Sequence, residues 1–190
     1  MSRDMKRVLT AVIVLAFLLA AGVLMKEAAQ RLEDARYPRE YSELIEKKAK
    51  ENGLPLSLVY AVVRTESGFE PNAESNIGAR GLMQLTHETF DWIDYKRGST
   101  GAAWDDMYDP ETNLDYGTFL LSTLLREFGT VENALAAYHA GWNAVKSWLA
   151  DPQYSSDGVT LDRIPYSDTE YYVKKVTDAM KGYQDTYGME

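Results

Sequence analysis

An uncharged run of 18 residues, VLTAVIVLAFLLAAGVLM from Val8 to Met25, limits what the amino-terminal part of this chain can become. As a helix it reaches about 27 Å at a rise of about 1.5 Å per residue, close to the hydrocarbon thickness of a bilayer. Three basic residues precede it, Arg3, Lys6 and Arg7, against one acid, Asp4. That bias predicts an amino terminus on the cytoplasmic side and everything after the run outside. A cleaved export signal is the alternative, with Ala20, Ala21 and Gly22 as small residues for a cleavage site, although the run is longer than a typical signal core. The expected location is therefore the plasma membrane, single-pass with an extracytoplasmic domain, or the exterior after signal cleavage. The chain divides into a cytoplasmic terminus (1–7), an anchor or signal segment (8–25), a charged helix-prone stalk (26–38) and one globular domain (39–190).

Composition then narrows the chemistry. Of 20 basic and 29 acidic residues, three basic and one acidic lie before the end of the apolar run, so the exported part is the more acidic. A net charge of −9 argues against a nucleic-acid binder, which needs a basic face. The sequence has no cysteine, which removes disulfides, thiolate-zinc sites, a cysteine nucleophile and a lipid-modified cysteine together. Two histidines argue against a histidine-rich metal centre. No metal and no cofactor are expected. What remains is chemistry on carboxylates, amides and aromatic hydroxyls.

Beyond Pro38 the apolar residues recur at helical spacing. Tyr41, Leu44, Ile45 and Lys48/Ala49 mark one helix, stopped at Gly53. Pro55 opens the next, with Leu58, Val59, Val62 and Val63 as its buried stripe and Gly68 beyond its end. A third is expected to start near Gly81 and run through LMQLTHETFDWID. Asp109-Pro110 caps a fourth, with Leu114, Gly117, Leu120/Leu121, Leu124/Leu125 and Phe128 on its stripe. Residues 131–149 continue the pattern, with Trp142 and Trp148 assigned to the core. A polar loop over 151–163 precedes a last helix from Ser167 to Tyr183. No sustained alternation marks a strand. The expectation is an all-α domain of about six helices.

Residues 66–85, ESGFEPNAESNIGARGLMQL, hold the densest chemistry. Glu66 ends an apolar helix, where both desolvation and the negative end of the dipole disfavour its carboxylate. Its pKa should therefore be raised, as a general acid requires. A glutamate in that position is also, taken alone, an ordinary solvated residue. Gly78 and Gly81 bracket a compact turn that lets backbone pass close to a ligand, and Leu82-Met83-Gln84 follows at the expected helix start. Ser75 adds a hydroxyl.

With ESGF (66–69), Ser75 and GARGLMQL (78–85) in view, the sequence resembles the soluble lytic transglycosylases, relatives of goose-type lysozyme. DPETNLDYGTFLL (109–121), ALAAYHAG (134–141) and IPYSDTEYYVKKV (164–176) match three further blocks of that family in order. The resemblance implies a single lysozyme-like domain, predominantly helical within an α+β superfamily, behind the transmembrane helix. By the same resemblance Glu66 is the catalytic acid, and Ser67 is mainly structural. Ser75, Met83, Gln84, Tyr138 and Tyr172 are substrate-binding. His139 stands where the family usually has asparagine and Asp168 where it often has glutamate. His139 reads as a subsite variation or as a packed polar residue.

The implied reaction cuts the MurNAc–GlcNAc β-1,4 bond of peptidoglycan without water, leaving 1,6-anhydro ends, with one carboxyl acting as acid and then base. Glycosidases that use two carboxylates hold them at defined separations. Here Glu70, Glu74, Glu88, Asp91 and Asp94 match no family position and read as solvated charges. Trp92, Tyr95, Trp104, Tyr108 and Tyr154 could stack on sugars or simply pack. A goose-lysozyme-like muramidase, or a glycan-binding scaffold without turnover, are the alternatives. The expected partners are glycan strands and, through the first helix, the membrane. No residue pattern names a further partner in wall or secretion machinery.

Overall fold

The structure, a computed structural model, describes residues 2–189. Met1 and Glu190, the outer ends of the first and last segments read from sequence, lie outside the described residues. The chain separates into two compact units, Met1–Pro38 and Arg39–Glu190.

The first unit is one helix, α1, Arg3–Arg36. Ser2 caps it, its hydroxyl accepting from the Met5 N–H at 3.2 Å. The apolar run and the charged segment that follows it thus share a single uninterrupted helix. Its window of highest hydropathy is unburied, with Val8, Ile13, Phe17, Leu18 and Leu24 all exposed. Among the described residues it is the one helix long and apolar enough to cross a membrane.

The second unit is helical, and no strand is found among its described residues; two isolated bridges, Glu74 with Arg80 and Arg80 with Leu85, are its extended pairing. Its helices are α2 (Ser42–Asn52), α3 (Leu56–Glu66), α4 (His87–Lys96), α5 (Pro110–Phe128), α6 (Val131–Ala140), α7 (Trp142–Leu149) and α8 (Ser167–Tyr187). A 3-10 helix, Trp104–Tyr108, precedes α5. Every residue from Ser57 to Val63 is fully buried, so α3 is apolar on all sides because it is the central helix, not a surface one. It packs on α8 and α2; α8 packs on α6, α6 on α5, and α5 on α2, so five helices close a ring of neighbours. Tyr60 of α3 stacks on Tyr183 of α8 at 5.1 Å, deep in that contact.

Three expectations need correction. The segment from Gly81 to Thr86 is not helical. Gly81 and Gln84 have φ of 76° and 48°, in the left-handed region, and Arg80 pairs with Leu85 across the turn. Helix α4 starts only at His87, where the Thr86 hydroxyl accepts from the Thr89 N–H at 3.2 Å. Residues 131–149 form two helices rather than one, because Gly141 has φ 93° between them. Trp148 is buried as expected, but Trp142 is only half-buried, its ring edge-on to Phe128 at 5.2 Å.

Candidate active site

The last residue of α3 is Glu66, and the phenol of Tyr172 on α8 donates to its Oε1 at 2.6 Å. Burial pushes the Glu66 pKa up to about 7, while the Tyr172 hydrogen bond and the charge of Lys175 pull it back. Glu66 as a whole residue is half-buried. A group in that state is protonated in a useful fraction near neutral pH and can both give and take a proton. Tyr138 of α6 and Tyr172 are held as neutral phenols, their pKa values driven well above the ordinary tyrosine value by burial.

The turn after α3 is built from backbone and amides. Ser67 Oγ donates to the Leu82 carbonyl at 2.9 Å, tying the end of α3 to the GLMQ segment. The Ser75 hydroxyl accepts from the Ala79 N–H at 3.0 Å, and Ser75 N–H donates to the Ala79 carbonyl at 2.9 Å. Gln84 spends its Nε2 on the carbonyls of Ala73 and Gly81, both at 3.0 Å. Ser75 and Gln84 therefore shape the loop while each remains partly exposed.

Met83 departs from the expectation that its thioether lines the groove. It is fully buried, and a Cβ on Gly117 of α5 would stand 2.3 Å from its Sδ. Gly117 is thus the space Met83 fills. What Met83 contributes is its carbonyl, which accepts the Tyr138 phenol at 2.7 Å. Tyr138 is thereby fixed to the turn rather than left free to swing.

His139, next on α6, is exposed. Its ring lies on Tyr172 with centroids 4.6 Å apart, and Nδ1 shares a hydrogen bond of 3.0 Å with the hydroxyl of Thr169 on α8. Glu66, Tyr172, Tyr138 and His139 thus come together from α3, α8 and α6, across 106 residues between Glu66 and Tyr172. Ser75, Met83 and Gln84 sit in the adjoining turn.

Sequence reading assigned no role to the residue that holds this turn. Asn113, fully buried in α5, accepts from the Met83 N–H at 2.8 Å and donates to the carbonyls of Arg80 (3.0 Å) and Met107 (2.9 Å). Its position in DPETN was the signal. Arg80 was also missed. Its guanidinium lies over the rings of Trp104 (4.7 Å) and Tyr108 (4.8 Å) and bonds Asp105 at 2.8 Å. Trp104 also stacks on His87, so it is a packing element here.

Two nearby acids are not free charges. Glu74 accepts the Tyr108 phenol at 2.6 Å, and Asp94 accepts from Tyr116 (2.7 Å) and from the Thr100 N–H (2.9 Å). Both serve loop structure. Among the described residues no three His, Asp or Glu side chains cluster as metal ligands would.

With this geometry in place, residues 43–158 match the family model of the Transglycosylase SLT domain. The soluble lytic murein transglycosylase of Escherichia coli K12 is 33% identical over 150 residues, covering 75% of this chain and 23% of the relative. The membrane-bound lytic murein transglycosylase C of Serratia proteamaculans is 29% identical over 166 residues, 76% of this chain and 46% of the relative. Among solved structures, the 70 kDa soluble lytic transglycosylase of Escherichia coli superposes with a TM-score of 0.73 at 29% identity, over 82% of this chain and 26% of that one. Lytic transglycosylase Slt of Pseudomonas aeruginosa, solved as an inactive glutamate-to-glutamine variant, gives 0.71 at 30% identity, over 82% and 25%. The chain spans about a quarter of the length of the soluble relatives it matches and about half that of the membrane-bound one.

Proposed function

The chain belongs to the SLT-domain transglycosylase family, and from that premise we propose that it is a membrane-anchored lytic transglycosylase cutting the MurNAc–GlcNAc β-1,4 bond of peptidoglycan. One observation carries the reading: a half-buried glutamate, Glu66, whose carboxyl is hydrogen-bonded by Tyr172 and has its pKa pushed up to about 7. Such a group suits acid and base duty in one cycle.

The cycle uses a single carboxyl. Glu66 gives its proton to the glycosidic oxygen as the bond from that oxygen to C1 of MurNAc breaks. The N-acetyl carbonyl oxygen of the same sugar shares the positive charge at C1. The C6 hydroxyl then bonds to C1 and gives its proton to the Glu66 carboxylate, restoring the acid. The products together have the composition of the substrate, because no water enters. Closing a ring within one held sugar gains the advantage of an intramolecular nucleophile.

Tyr172 steadies Glu66 through both states. Ser75, Gln84, Tyr138 and His139 are placed to border the glycan, and Met83 supports Tyr138 from beneath. Residues 8–25 act as the anchor within α1, residues 1–7 stay cytoplasmic, residues 26–38 lift the catalytic unit 39–190 from the membrane, and that unit works outside the cytoplasm.

The test treats purified peptidoglycan with the full chain in detergent and reads soluble products by mass spectrometry beside Glu66→Gln. Anhydro-muropeptides from the natural chain and none from the variant are expected. Reducing ends, heavier by one water, would replace the reading with a hydrolase. Equal turnover by the variant would remove Glu66 from its role.

A further inference from the structure

The contact between His139 and Tyr172 has no part in the cycle above, yet the Tyr172 hydroxyl is bonded to Glu66. Tyr172 reaches that carboxyl from α8 as a buried side chain, so the groups packed on its ring set how the phenol sits. One face of the ring is covered by the imidazole of His139, with centroids 4.6 Å apart and planes inclined by 30°. The imidazole is itself held, because Nδ1 bonds Thr169 Oγ1 at 3.0 Å and Thr169 is buried. Thr169 and Tyr172 are three residues apart on α8 and so share a face. His139 therefore bridges two successive turns of α8 from α6, by a hydrogen bond to one and a ring contact to the other.

An asparagine at 139 could reach the Thr169 hydroxyl but has no ring to lay on Tyr172. The contact on Tyr172 is thus specific to the imidazole. We propose that His139 is a positioning residue that acts through Tyr172, locking its phenol onto Glu66 and so setting the pH at which the acid loses its proton. This rests on the proposed acid role of Glu66.

The charges around the carboxyl fix the sign. Tyr172 and Lys175 bear on Glu66 from α8, and Tyr138 from α6. The other neighbour of α3, helix α2, turns its buried Lys48 to Asp115 and Glu51 instead. Asp168 and Glu170 flank Thr169 in the first turn of α8. The Tyr172 hydrogen bond favours the carboxylate. Loosening Tyr172 weakens that bond, so Glu66 holds its proton to higher pH.

The experiment follows the Glu66 carboxyl by carbon-13 NMR in the full chain in detergent micelles, assigned by Glu66→Gln, together with the pH profile of kcat on soluble glycan strands. His139→Ala should raise the Glu66 midpoint by about half a pH unit or more and carry the alkaline limb of kcat with it. His139→Phe, which keeps a ring over Tyr172 and drops the bond to Thr169, should return both toward the natural values. Tyr172→Phe gives the full displacement for scale. A general loss of packing would lower kcat at every pH without moving the limb. A Glu66 midpoint in His139→Ala equal to that of the natural chain overturns the proposal, whatever Tyr172→Phe does. The NMR midpoint needs no turnover, so failure of the acid assignment shows separately, as full activity in Glu66→Gln.

Discussion

A carboxyl at the end of a helix is usually solvated and ionised, and Glu66 differs because its surroundings strip away water faster than its neighbours return charge. Burial raises its pKa from 4.5 to about 7 against the opposing pull of Tyr172 and Lys175. The folded state therefore binds a proton more tightly than the unfolded chain between those two values. Stability falls as pH rises through that window and is level on either side. Glu66→Gln removes the titration while keeping an oxygen for Tyr172. The variant should unfold like the natural chain below pH 4.5, then become more stable than it above pH 7 by about 3 kcal/mol. Urea unfolding at pH 4 and pH 8 checks this, and a variant no more stable at pH 8 would mean that the carboxyl is not strained by burial. The direction of the Glu66 shift was legible from its apolar neighbours. Nothing local to residue 66 points to Tyr172 or Lys175, more than 100 residues away: Tyr172 was reached only through the family resemblance, and Lys175 not at all.

Helix starts in this chain are set by side chains that satisfy the free N–H groups of the first turn. Asp109 is the clearest: its Oδ2 accepts from both the N–H and the hydroxyl of Thr112 at 2.9 Å, with Pro110 pre-set for the first turn of α5. Helix α5 carries Asn113, so fraying at its start would reach the turn that Asn113 holds beside Glu66. Asp109→Ala should cost about 1 kcal/mol in thermal unfolding and reduce activity by loosening the Asn113 contacts. Asp109→Asn should recover most of the loss, and an alanine variant with unchanged melting would show that Pro110 suffices. The same logic explains the misplaced start of α4. GLMQL has helical composition, but Gly81 at φ 76° lies where a Cβ would stand 2.1 Å from the Met107 carbonyl oxygen. That close approach belongs to a turn packed on another element. Thr86, a capping residue just before His87, was the sequence signal for the true start.

At the scale of the molecule the chain holds two units with different solvents in mind. Exposed Phe17, Leu18 and Leu24 would be a liability in water and are ordinary in lipid, whereas Arg39–Glu190 buries its own core. Residues 39–190 made alone, about 150 residues, should unfold cooperatively at the melting temperature of the full chain. That fragment should stay in solution beside lipid vesicles while the full chain floats with them; a fragment that binds vesicles would place membrane affinity outside α1. The sequence by itself determined the apolar span, most helices of the second unit and the four ordered blocks of its family, because periodicity, caps and motif spacing are local. Only the tertiary structure decided that Met83 fills the space left by Gly117 instead of facing a ligand, that Asn113 ties the turn down, and that His139 meets Tyr172 over Thr169. Those outcomes depend on which helix faces which in a ring closed by packing. Side chains 30 to 106 residues apart meet there, and the energy that brings them together is the burial of the whole core rather than anything local sequence encodes.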